Sequence, residues 1–161
     1  MNGSLQNVVK KMLNEYVIAK NQTFGGNSFG VFVRNEIPNT IYNTGLVDKE
    51  KYLITGSVGQ GNWAMIPWVC IFDRSITTSA TKGVYIVYLL SKDGNTLYLT
   101  FNQGCTELKN KYGKQEAIRM MRENADKILE KIDDRGFDKY DSGMSLGENL
   151  SELGEMYEKG T

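Results

Sequence analysis

The sequence predicts an α+β domain in which a largely antiparallel sheet is flanked by N- and C-terminal helices. Three observations carry that prediction. Apolar residues recur at three- and four-residue steps near the N-terminus. Short runs rich in β-branched and aromatic residues fill the middle, and a helical apolar stripe returns in the last third. The chain has 161 residues, 40% of them apolar and 24% charged. That suits one globular domain spanning 1–161 with a core of its own.

The first helix is predicted from Ser4, an N-cap residue, to about Lys20, with Leu5, Val8, Val9, Met12, Leu13, Tyr16 and Val17 on one face. The stretch "NQTFGGN" breaks it. A second helical pattern runs through Phe29, Phe32, Val33 and Ile37. Pro38 is expected to end or kink it, with Ile41 and Tyr42 continuing in a short segment towards Gly45. Four strand-like runs follow: "KYLITGSV", "WAMIPWVCIF", "GVYIVYLL" and "TLYLTFN". Glycine and Asp/Asn clusters separate them, and Asp93-Gly94-Asn95 signals a hairpin. A meander is the simplest arrangement. Ile118, Met121, Ala125, Ile128, Leu129 and Ile132 then predict a helix over about Gln115–Ile132. "DDRGFDKYDSG" is read as a loop, and "LGENLSELGEMYEKGT" as a weak last helix that stops abruptly, as in the N-terminal fragment of a longer protein.

Composition excludes much chemistry. There is no histidine, so histidine-based nucleophile triads, zinc motifs and general bases are ruled out. Net charge is zero, which argues against strong nonspecific wrapping of a phosphate backbone and leaves room for a local basic face. No run approaches a membrane span and the N-terminus lacks a long apolar signal core, so a cytoplasmic protein is expected. Of the two cysteines, Cys70 is expected in the core and Cys105 in a turn, as a bystander.

Two motifs invite an enzymatic reading and fail. "GQGNWA", Gly59 to Ala64, fits G-x-G-x-x-[GA] after a strand-like run, the pattern of a dinucleotide-binding turn. Such a turn must open a helix, yet Pro67 follows among aromatic and apolar residues, and Ser79 stands where the ribose-binding acid belongs. Asp93, Glu107 and Lys109 have the residue types of a Mg²⁺ nuclease site. Asp93 is better explained by its hairpin, and "TELKNKYGK" reads as a turn passing into helix rather than as the strand such a site needs.

The aromatics are the stronger clue. Trp63, Trp68, Tyr85, Tyr88 and Tyr98 crowd one stretch. Most are expected in the core, but Trp68 follows Pro67, which marks an edge or irregular position. Beside a glycine-rich loop such a wall could stack an unpaired base. In "DRSITTSATKG", Arg74, Lys82 and hydroxyls such as Thr78 and Ser79 suit phosphate contacts, with Arg34 and Lys51 as further cations.

The run from Gly59 to Gly104 resembles the McrB-type N-terminal domain, the DNA-recognition module of modification-dependent restriction systems. G-x-G-N-[WF]-x-x-[IV]-P-W is its most specific element; T-T-S-A-x-K-G-x-Y-I-V-Y-L and N-Q-G agree with it, as do "LNEYVIAK", "FVRNEIP" and "KYG". The resemblance implies a mixed central sheet and a noncatalytic, cofactor-free reader of double-stranded DNA in phage defence. It implies that 5-methylcytosine or a related base is flipped into an aromatic pocket. It also implies that an AAA+ GTPase motor and a separate nuclease subunit complete the system. On this chain the pocket residues would be Trp68, Tyr85 and Leu89. Gln60 would stand on the approaching loop with Gly59, Gly61 and Asn62, where a modified-cytosine reader can present an aromatic residue. The alternatives are a sequence-specific DNA-binding domain that does not flip, the nuclease, and a protein-interaction module with a structural aromatic cluster.

Overall fold

The computed structural model describes residues 4–133 and 144–159. Helix α1, Leu5–Ala19, starts where the Ser4 side chain accepts a hydrogen bond from the Asn7 N–H at 3.3 Å. Val8, Met12, Tyr16 and Ala19 form its buried stripe. Helix α2, Ser28–Val31, is capped by the Asn27 side chain and passes without a break through a π-helical turn, Phe32–Glu36, into α3, Ile37–Asn43. Pro38 is the physical reason for the wide turn. It has no N–H to give, and its ring would meet the carbonyl four residues back in a regular helix. The backbone widens just before it, with the Ile37 N–H donating to the Phe32 carbonyl, and the helix continues.

The sheet is a meander in the order β1 (Tyr52–Ser57), β2 (Trp68–Asp73), β3 (Val84–Leu90), β4 (Leu97–Gln103). Every pairing is antiparallel, where the family resemblance implied a mixed sheet. The second strand begins only at Trp68. Trp63–Pro67, expected within it, is irregular, because the turn at Gly59–Asn62 and the missing Pro67 N–H take those residues out of the ladder. The Ser91–Thr96 hairpin falls where Asp93-Gly94-Asn95 placed it. The Asp93 carboxylate accepts from the Ser91 hydroxyl and the Asn95 N–H, and these bonds hold its pKa below the usual range.

Strand alternation sends side chains into two cores. On one face Ile54, Val69 and Leu90 pack against α1–α3, with Tyr88 and Ile71 beside them. On the other, Cys70, Phe72, Tyr85, Val87 and Leu89 pack against Leu146, Leu150 and Tyr157 from the C-terminal segment. Helices α4 (Cys105–Tyr112), α5 (Lys114–Leu129) and α6 (Glu152–Lys159) close a third cluster of Cys105, Ala117, Met121 and Met156. The Gln103 side-chain amide ties β4 to α5 by donating to the Met121 carbonyl at 2.7 Å.

Two expectations need correction. Cys105 is no bystander in a turn: it opens α4 and is buried against α5 and α6. The stripe of α5 is packed only in its first half, since Met121 is fully buried while Leu129 is 55% exposed. The predicted loop after Ile132 lies, apart from Asp133, outside the described residues.

Candidate nucleic-acid interface

The "GQGNWA" segment links β1 to β2, and no helix follows it. Gly59 has φ 110° and Gly61 φ 75°. A Cβ on Gly59 would collide with the Asn62 carbonyl oxygen and stand 2.6 Å from the Ala64 nitrogen, whereas one on Gly61 would meet open space. Gly59 therefore closes the turn, which the Ala64 N–H locks by donating to the Val58 carbonyl at 2.7 Å. The loop is anchored on the helical side. Trp63 packs edge-on against Phe24 at 5.2 Å and donates its indole N–H to the Gln22 carbonyl at 2.9 Å. The Tyr16 hydroxyl donates to the Ala64 carbonyl, and desolvation pushes that phenol up to about 12. The Arg34 guanidinium donates to the Gly59 carbonyl at 3.3 Å and lies over the Phe24 ring. The tip, Gln60, Gly61 and Asn62, remains exposed.

The register brings Trp68, Tyr85 and Leu89 together. Trp68 is directly opposite Leu89, and Tyr85 lies four residues before Leu89 on the same face of β3. They line a cavity whose further walls include Cys70, Asn102 and Tyr157. Its volume is about 10 Å³, room for one water and not for a base. Tyr85 is buried edge-on against Phe72 at 5.2 Å, with its hydroxyl donating to the Ala80 carbonyl at 2.9 Å. Burial drives the Tyr85 and Tyr157 phenols well above the ordinary tyrosine range. Trp68 is half-buried. Gln60 is not among the walls.

Arg74, Thr78, Ser79 and Lys82 lie on the β2–β3 connection. Successive connections of a meander alternate ends, so this loop is separated from Gln60 by the six residues of β2, roughly 17 Å. Arg74, Thr78 and Lys82 are exposed. The Ser79 hydroxyl is already engaged with Thr81 at 2.8 Å. Lys51, at the same end, pairs with Asp73 at 3.7 Å, whose carboxyl is held below the usual range chiefly by hydrogen bonds from Ser75. Asp93, Glu107 and Lys109 do not converge. Asp93 sits at the hairpin before β4, Glu107 on α4 beyond the other end of that seven-residue strand, and Lys109 pairs with Glu152 at 2.6 Å.

Asn102 and Tyr157 are among the wall residues that escaped the sequence reading. Asn102, opposite Tyr85 in the register, is buried and donates to the Tyr157 carbonyl at 3.3 Å. Its signal was available: strand alternation from Tyr85 through its cross-strand partner points Asn102 at the same face. Tyr157 had no such signal, because its position depends on where the C-terminal segment docks.

These features define an α+β scaffold with aromatic residues on one sheet face and loops presented at both sheet ends. The chain belongs to the family described as MrcB-like, N-terminal domain, whose model matches residues 11–161. No curated protein and no solved structure matches it. Among the described residues no helix is long and apolar enough to cross a membrane.

Proposed function

We propose that this domain is the DNA-recognition module of a modification-dependent restriction system and reads 5-methylcytosine or a related modified base by flipping it out of the duplex. The observation that carries the reading is membership of the MrcB-like N-terminal family across almost the whole chain. The placement of Trp68, Tyr85 and Leu89 on one sheet face supports it. In this reading the domain binds and does not cut. A GTP-hydrolysing motor and a nuclease subunit act with it in the cytoplasm against phage DNA.

The energetics are workable but tight. Flipping costs a few kcal/mol of unpairing and unstacking. Stacking returns roughly 1–3 kcal/mol per aromatic contact. A methyl group buried against Leu89 adds about 0.8 kcal/mol, under tenfold in affinity, so selectivity for the modification also needs steric or hydrogen-bonding help. The Asn102 amide is a polar group in an otherwise apolar wall and can supply it once Tyr157 moves aside.

A second reading, DNA recognition without flipping, is favoured by one specific observation: the cavity beneath Trp68 is filled by the protein's own side chains. Gel-shift titrations with matched methylated and unmodified duplexes, read alongside 2-aminopurine fluorescence beside the target base, separate the two. Flipping predicts tighter binding of the methylated duplex, a fluorescence rise, and loss of both in Trp68→Ala. Sequence-specific binding with no fluorescence change selects the second reading. Equal binding of every duplex, unaffected by Trp68→Ala, excludes base readout through this face.

A further inference from the structure

We infer that the open cleft between the β2–β3 loop and α4 is a phosphodiester-binding site that grips the DNA backbone away from the aromatic face. The inference rests on the DNA-binding reading above and adds residues and a place to it. The cleft has a volume of about 560 Å³ and is walled by Thr81 and Lys82 on one side and Thr106, Glu107, Asn110 and Lys111 on the other. Two other cavities, under α1 and under the C-terminal segment, hold about 10 Å³ each.

The walls are held in fixed relation. The Gly104 N–H donates to the Gly83 carbonyl at 2.8 Å and the Glu107 N–H to the Thr81 carbonyl at 3.0 Å. A Cβ on Gly104 would run into the backbone of Thr81 and Lys82, so only glycine lets α4 start this close to the loop. The backbone of both walls is therefore positioned before any ligand arrives, and the ordering cost that remains lies in the exposed lysine side chains.

The charges sort in the same direction. Lys109 and Lys114 are committed to Glu152 and Glu155 of α6. Lys111 lies two residues from Lys109, on a different side of α4, and lines the cleft with its ammonium over the Tyr112 ring at 5.0 Å. Among the described residues neither Lys82 nor Lys111 has a carboxylate within ion-pairing distance, and Arg74 on the same loop has none either. Two ammonium groups, the Thr106 hydroxyl and the Asn110 amide offer donors suited to phosphate oxygens, while the Thr81 hydroxyl is shared with Ser79. Glu107 is the single acid of the walls, so the cleft carries a net positive charge. No aromatic side chain lines it, which fits a backbone contact rather than a stacked base. The loop that walls the cleft is separated from Trp68 by the length of β2, roughly 17 Å, about half a turn of duplex.

The test is fluorescence anisotropy with the whole chain and a labelled duplex between 50 and 200 mM salt. Each neutralised phosphate contributes about 0.9 to the slope of log affinity against log salt. Lys82→Gln and Lys111→Gln are each expected to lower the slope by about that amount, equally on modified and unmodified duplexes. Across that fourfold salt range each variant then loses about 3.5-fold less affinity than the parent. Glu107→Gln is expected to tighten binding, an outcome that damage to the fold does not produce. Trp68→Ala should weaken binding with the slope intact. If the parent binds DNA while both lysine variants keep its slope, or if Glu107→Gln weakens binding in a protein that melts normally, the cleft is not a phosphate site and the DNA-binding reading stands. If the parent binds no duplex at the lowest salt, the DNA-binding reading fails, and this inference with it.

Discussion

The two glycines of "GQGNWA" make a comparison in which a single added methyl group should have unequal effects. Gly61 has φ 75° with open space where a Cβ would stand. Gly61→Ala therefore places an L-residue in the left-handed region, at a cost of about 1–2 kcal/mol, partly offset by about 0.4–1 kcal/mol from the stiffer unfolded chain. The net loss should be about 1 kcal/mol. Gly59 has φ 110°, and its Cβ would overlap the Asn62 carbonyl and approach the Ala64 nitrogen to 2.6 Å. Those are backbone atoms of the same tight turn and cannot rotate away. The turn must open, with loss of the Val58–Ala64 hydrogen bond and of the support that Tyr16 gives to the Ala64 carbonyl. Two such bonds contribute about 1–3 kcal/mol together, and the strain of the backbone adds about 1–3 kcal/mol, so a loss near 3 kcal/mol or more is expected for Gly59→Ala. Urea denaturation followed by circular dichroism measures both variants against the parent. Losses equal within about 0.5 kcal/mol would refute the reasoning, because strain at positive φ would then be the whole effect and the collision none of it.

Two further outcomes follow from the same packing. Leu146 is fully buried against the sheet face that carries Tyr85 and Leu89, so Leu146→Ala should cost about 2–5 kcal/mol in the same denaturation assay; a loss below 0.5 kcal/mol would mean that the C-terminal segment is not part of the fold's core. Burial raises the Tyr16, Tyr85 and Tyr157 phenols above their unfolded value. Their neutral forms are favoured in the folded state, so this stability is fully present below pH 10 and is lost as pH rises from 10 through about 12, the Tyr16 value. Absorbance titration at alkaline pH should show a fraction of the nine tyrosines ionising only together with unfolding; smooth titration of all nine near pH 10 with the fold intact would contradict it.

Much of the local structure was legible because it depends on neighbours in sequence. The Ser4 cap, the stripe Val8–Met12–Tyr16, the Asp93-Gly94-Asn95 hairpin and the four strand runs are all short-range patterns, and each falls where its pattern placed it except that the second strand starts only at Trp68. Pro38 was read correctly as a disturbance, but its resolution as a π-helical turn inside a continuous helix depends on the packing of Phe32 and Val33 under the sheet. Cys105 was misjudged because "QGC" reads as a turn while its burial comes from α5 and α6, which arrive later in the chain.

By itself, then, the sequence determined the α+β class, the order of its elements, the family motif from Gly59 to Gly104, and the fact that Tyr85 and Leu89 share a face. The period of two along a strand sets which side chains point the same way, whatever lies above them. Only the tertiary structure decided what lies above them. Leu146 and Tyr157 cover the aromatic face and leave about 10 Å³ beneath Trp68. It also decided that Gln60 and the Arg74–Lys82 loop occupy opposite ends of the sheet, and that α4 brings Lys111 beside Lys82. Those relations join residues far apart in sequence, so they are fixed by which surfaces exclude water together and not by any local pattern.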